Sequence, residues 1–254
     1  MNGELLQLVK LTSYLRCCLA SGTAGEYGAD PFVERISFKS FDERTAYSPV
    51  EWLKGLEDRE LKDAFLWVPV RSNNRAHAGF SNAERQGIVT VFDGAISLWQ
   101  PRWSFDQGRR AWLVSYSEHI LENLPEGLKE TEDPSEDLKR VLTDIGEFAD
   151  EIGAAIFARI FNDAYSYFTV PDIGQQDLEF VKRNYIPVEG NAGRLFLAAG
   201  RSDVFGGMGS WNDDPEGMAG YKGLGDKYNR LSDELYNTSR EALVYAVNTS
   251  WKKE

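Results

Sequence analysis

Asp93-Gly94 stands between two short runs rich in β-branched and aromatic residues, Ile88–Phe92 and Ala95–Trp99. An Asp-Gly pair supplies the positive φ angles of a type I′ turn, so it commits this stretch to a tight antiparallel hairpin. Arg102–Phe105 and Arg110–Tyr116 follow, joined across Asp106-Gln107-Gly108, and extend the pattern to a meander of four short antiparallel strands. In the last of these Trp112, Val114 and Tyr116 share one face, and Ala111, Leu113 and Ser115 share the other. Both faces carry apolar residues, so helices are expected on one side and partial cover on the other. Upstream, Phe32–Phe38 alternates as a strand does, and Phe65–Val70 reads as a buried strand that Pro69 places at an edge.

Helical patterns surround this region. Leu5, Leu8, Val9, Leu11, Leu15 and Leu19 fall near one side of a first helix over residues 3–21. Ser48-Pro49-Val50-Glu51 combines an N-cap serine, proline at the first helical position and a glutamate three residues after the cap. A helix should run from there to about Gly55, with another turn or two at 58–64. Residues 122–137 form an acidic connector and the natural subdomain boundary. Asp133-Pro134-Ser135-Glu136 then opens a long helix expected to reach Phe168, weakened only modestly by Gly146 and Gly153 and ended by Pro171. Shorter helices are expected at 177–184 and 192–199, and a last amphipathic helix at 226–251. The expected fold is α+β: an antiparallel β-meander in the N-terminal half (1–121) packed against a mainly helical C-terminal half (122–254), the two making one compact unit.

Charge and cysteine usage narrow the function classes. A net charge of −12 leaves no surplus of Lys and Arg to neutralise phosphates, which argues against nucleic acid and suits a basic partner. The only cysteines are the adjacent Cys17 and Cys18, which points to a reducing compartment. Glu4, Lys10 and Arg16 interrupt the N-terminal apolar run, so it is not read as a secretion signal. No stretch approaches the roughly 20 apolar residues of a membrane span. A cytoplasmic location is expected, no membrane partner, and no use of the sequons at Asn237 and Asn248.

The feature with most functional promise is residues 202–228. Glycines 206, 207, 209, 217, 220, 223 and 225 fall within twenty residues, where the chain average of 23 in 254 would place roughly two. Such glycines cost conformational entropy unless the backbone turns sharply or something approaches it closely. Phe205-Gly206-Gly207-Met208-Gly209-Ser210 lacks the Gly-Lys-Ser/Thr ending of a P-loop and the spacing of a dinucleotide fingerprint, and the nearby acids would repel a phosphate. Asn212, Asp213, Asp214 and Glu216 lack the alternate spacing of a calcium loop, with Pro215 restricting convergence. Neither cofactor nor metal is expected.

Other constellations are weaker. His77 and His119 are the only histidines, and their spacing favours no metal. There is no G-x-S-x-G elbow, and Cys17 and Cys18 read as small core residues rather than a thiol nucleophile working with His119. Trp99, Trp103 and Trp112 with Arg102, Arg109 and Arg110 would make a sugar- or anion-binding face if exposed, and an ordinary packed sheet otherwise. Arg71–His77 reads as a polar hairpin tip. The expected function is that of a non-enzymatic protein-binding protein, an inhibitor or immunity-type protein neutralising a basic partner. Phe205, Met208, Trp211, Asp213, Asp214, Glu216 and Tyr221 are the candidate contacts. The alternative is a carboxylate-dependent hydrolase, acting on a glycan-type substrate, with its acids on the same Gly-rich segment.

Overall fold

A computed structural model describes residues 1–69, 75, 78, 80–83, 85–125, 128 and 132–251. Helix α1 (Gly3–Ser21) leads to strands β1 (Val33–Lys39) and β2 (Thr45–Ala46) and to helix α2 (Pro49–Glu57). Strands β3 (Asp63–Trp67), β4 (Gly87–Phe92), β5 (Ala95–Asp106) and β6 (Ala111–Leu121) follow. Six helices complete the chain: α3 (Ser135–Ile152), α4 (Ala155–Ser166), α5 (Gln175–Arg183), α6 (Ala192–Ser202), α7 (Asp214–Tyr221) and α8 (Gly225–Asn248). The fold is α+β.

The Asp93-Gly94 hairpin forms, but only Gly94 takes a positive φ, 74°, so its turn is not the expected type I′; β3 to β6 make an antiparallel run. Two details of the expected meander need correction. Residues 95–106 are one continuous strand, in which Pro101 pairs with Tyr116. The pairing of β4 with β5 ends at Ile88, opposite Trp99, so Pro101 lies where β5 has a strand neighbour on one side only and proline is tolerated. Second, the sheet is mixed. Its order is β2-β1-β6-β5-β4-β3, and β1 runs parallel to β6 because the chain leaves β1 through α2 and three hairpin reversals before returning beside it.

Residues 58–60 make a turn, not further helix: Glu60 takes φ 58° and sends the chain into β3, an edge strand as expected. That edge is closed by side chains. The Asn248 amide accepts from the Leu66 N–H at 2.8 Å and donates to its carbonyl at 3.0 Å, as a neighbouring strand would. Asn82 does the same for Trp103 on β5, at 2.7 and 2.9 Å. Edge backbone occupied in this way cannot template pairing with another chain.

Helix α1 is buried almost all round, not along one stripe: Gln7, Lys10, Thr12, Ser13 and Arg16 are as enclosed as its leucines. It packs on β3 and β4 and against α8. Its cations are fully engaged. Lys10 donates to the Gly28 carbonyl at 2.5 Å and Asp30 at 2.7 Å, and Arg16 donates to Asp63 at 2.7 Å and to the carbonyls of Ala64 and Ser250. In α2 the Ser48 hydroxyl accepts from the Glu51 N–H, and Glu51 accepts in turn from the Tyr47 N–H.

The expected long helix over 135–168 is two. Gly153 sits at φ 90° and ends α3 in the left-handed conformation, so α4 folds back against α3. One apolar core runs from Leu5 through Phe38, Trp99, Phe161 and Leu195 to Leu235, joining both halves of the chain. A smaller cluster of Phe65, Val89 and Leu98 lies on the opposite face of the sheet, where Leu124 and Leu128 of the connector cover it. Among the described residues, no helix is long and apolar enough to cross a membrane.

Candidate functional site

The Gly-rich segment is not a single loop: α7 occupies its middle. The chain leaves α6 at Ser202, and Phe205 drops into the core edge-to-face on Tyr236, with centroids 5.2 Å apart. The Trp211 N–H returns to the Val204 carbonyl at 3.0 Å and closes the loop. The Trp211 indole is fully buried, edge-to-face on Phe157 and Phe161 and stacked on Tyr228, and its Nε1 donates to Ser232 at 2.7 Å. Phe205 and Trp211 are therefore anchors beneath the segment, out of reach of a partner.

The other five candidates stand on the surface. Met208 is 98% exposed at the loop tip and Tyr221 94% exposed at the end of α7. Asp213, Asp214 and Glu216 are exposed, and none of the three pairs with a described cation. Asp213 accepts from the Gly209 N–H at 2.7 Å and so holds the loop, whereas the side chains of Asp214 and Glu216 make no hydrogen bond with a described residue. Of the seven glycines, Gly209 and Gly223 need their positive φ of 79° and 72°. Gly207, Gly217, Gly220 and Gly225 have open space where a Cβ would stand, so neither left-handed backbone nor crowding requires glycine there. What those positions provide is bare backbone.

Between this segment and the polar stretch before β4 lies a groove of about 840 Å³, lined by Phe80, Met208, Asp213, Glu216, Asp233 and Arg75. Of the expected Arg71–His77 tip only Arg75 is among the described residues, and it is engaged: it donates to Asp233 and Asn229 at 2.7 Å each and to Asn212 at 3.3 Å. Its guanidinium also lies 5.2 Å from the centre of the Tyr228 ring. Burial pushes the Tyr228 hydroxyl up to about 12, against the pull of Arg75. The groove therefore presents three carboxylates, two exposed apolar side chains and one cation already neutralised.

The tryptophan–arginine face does not assemble. Trp99 is core, 2% exposed, while Arg102 is exposed on the other face of β5 and Arg109 pairs with Glu34 at 2.5 Å. Glu118, buried, pairs with Arg59 at 2.8 Å, and Cys18 is buried in α1. Among the described residues no three His, Cys, Asp or Glu side chains are grouped to hold a metal.

Sequence reasoning missed a second cavity, of about 390 Å³, between the start of α1, the start of β1 and the far end of β5–β6. Phe32, Phe80, Trp112 and Phe180 supply ring walls. At one side Lys10 and Asp30 pair, Tyr27 donates to Asp30 at 3.0 Å, and Tyr116 donates to Gln7 at 3.0 Å. Burial and the Asp30 charge push both tyrosine hydroxyls upward, so they remain donors. Two lining residues are left over. Gln86, 3% exposed, makes no side-chain hydrogen bond with a described residue, and Trp103 Nε1 is buried without an acceptor. Of the three tryptophans grouped in the sequence, Trp103 and Trp112 line this cavity and Trp99 does not.

No protein-family model matches the chain, and neither a curated protein nor a solved structure matches it. What the chain does must follow from its own surfaces.

Proposed function

We propose that the chain is a non-enzymatic cytoplasmic binding protein that docks a basic protein through the Gly-rich face, in the manner of an inhibitor or immunity-type protein. The observation that carries this reading is the presence on one segment of exposed Met208 and Tyr221 with Asp213, Asp214 and Glu216, which pair with no described cation. Apolar side chains that no neighbour covers are the usual core of a contact patch, and unpaired acids beside them steer and orient a positively charged surface. The unhindered glycines Gly207, Gly217 and Gly220 let a partner approach the backbone. A net charge of −12 adds long-range attraction for a cationic partner.

The carboxylate-hydrolase reading is weaker. Asp213 is engaged with Gly209, and Asp214 and Glu216 are open to solvent, so none stands in the enclosed, apolar setting that keeps a general acid protonated.

Asp214→Lys/Glu216→Lys reverses the docking charge without breaking a side-chain hydrogen bond among the described residues. The immobilised chain and this variant are exposed to lysate at about 50 and 500 mM salt, and retained species are identified by mass spectrometry. The expected result is one basic protein held by the wild type at low salt, released at high salt and lost by the variant. Purified, that protein should bind the variant at least tenfold more weakly. Identical retention by both forms, or none by either, overturns the proposal.

A further inference from the structure

We propose that the 390 Å³ cavity is a binding site for a free, neutral, planar aromatic molecule bearing an amide-type donor and acceptor on one edge. The cavity shares only Phe80 with the groove beside the docking face, and three observations converge on it. Its volume falls within the range of small-molecule sites, and half of its lining residues are aromatic or aliphatic, five of them aromatic. The ring walls select for planarity. Trp103 and Trp112 meet edge to face, centroids 5.8 Å apart at 71°, and so form a corner that a flat ring fills by stacking on one and meeting the edge of the other. Phe32, 77% exposed, stands at the mouth with no described neighbour covering it.

Charge selects for neutrality. Glu4 and Asp30 line the cavity together with Lys10 and Arg183, and Lys10 is already held by Asp30 and the Gly28 carbonyl. No excess of either sign is left to hold an ion.

The third observation sets the edge chemistry. Trp103 Nε1 is a donor without an acceptor, and Gln86 a buried amide without a side-chain partner, and both residues line this cavity. Leaving such groups unpaired is costly, so a protein retains them where a ligand completes them. A flip of the Gln86 amide exchanges its oxygen and nitrogen, so it can offer either. An aryl amide answers both once the two side chains turn towards it, since neither atom is open to the cavity as it stands: its carbonyl accepts from Trp103, and its NH₂ donates to the Gln86 oxygen.

The test uses quinoline-6-carboxamide as probe and quinoline-6-carboxylate as its charged counterpart, titrated by calorimetry and by saturation-transfer NMR. The carboxamide should bind one saturable site with a Kd of about 1 mM or tighter. The carboxylate should bind at least tenfold more weakly. Gln86→Leu and Trp103→Phe should each weaken the carboxamide about tenfold. Because a change at Trp103 also touches packing, Phe32→Ala provides an arm at an exposed residue: it should weaken binding severalfold with Tm unchanged. Asp214→Lys/Glu216→Lys should bind the probe as the wild type does, which separates this site from the docking face. Absence of saturable binding up to ~10 mM overturns the proposal. So does affinity unchanged in both Gln86→Leu and Phe32→Ala, or equal affinity for the carboxylate.

Discussion

Trp211→Ala separates anchoring from contact on the Gly-rich face. The indole is completely buried against Phe157, Phe161 and Tyr228, at centroid distances of 5.2, 5.1 and 5.6 Å. Truncating a buried tryptophan costs about 3–5 kcal/mol in lost transfer energy and cavity formation. Ser232 also loses the 2.7 Å bond from Nε1, which puts the cost near the upper end, about 5 kcal/mol. For a chain of this size each kcal/mol lowers Tm by roughly 2–4 °C, so a fall of about 10–20 °C is expected. Trp211→Phe, which keeps a ring but loses the N–H, should cost about 1–3 kcal/mol. Met208→Ala, at the exposed tip of the same loop, should stay within about 0.5 kcal/mol. The assay is urea unfolding with free fits of ΔG and m, backed by calorimetric Tm. A Trp211→Ala loss below about 1 kcal/mol at unchanged m would show that the indole is not locked into the core, and the assignment of anchor and contact roles would fail.

Three other outcomes follow from the fold. Asn248→Ala leaves the Leu66 N–H and carbonyl unpaired at the sheet edge; a loss of about 2–4 kcal/mol is expected in urea unfolding, with more self-association at high concentration. Gly153→Ala meets no atom within 4 Å, so its cost is purely that of holding a left-handed residue, about 1–2 kcal/mol by the same measurement. Burial pushes the hydroxyls of Tyr167 and Tyr228 up to about 12, above the ordinary value near 10 that they have unfolded. Their contribution to stability is thus complete below pH 10 and lost as pH rises from 10 towards 12. Phenolate absorbance at 295 nm should show these tyrosines ionising with or after the loss of far-UV dichroism; all eleven ionising near pH 10 in an intact fold would contradict it.

Features decided within a few residues were legible in the sequence. The Asp93-Gly94 hairpin, the Ser48 cap and the limits of α1 need only turn chemistry, capping and periodicity. Features decided by distant partners were not. The parallel pairing of β1 with β6 joins Val33 to Trp112 across the sheet, and no local pattern encodes direction between segments so far apart. The break at Gly153 was hidden because the apolar spacing of α3 continues through α4, and only the backbone shows the left-handed residue. Within the Gly-rich segment composition could not tell Trp211 from Tyr221. One faces Phe161, the other faces water. The second cavity was invisible because its walls come from widely separated segments, from Phe32 to Phe180.

The burial of Arg16 also bears on the order in which the molecule is made. Its guanidinium donates to the Ser250 carbonyl, 234 residues further along the chain, and to Asp63 and Ala64. During synthesis α1 emerges 234 residues before that partner, with this contact of its cation unmade in the interval. A helix enclosed on nearly all sides has no stable resting place until β3 and α8 both exist. Folding therefore depends on contacts far apart in the chain, which slows it relative to folds built on local contacts.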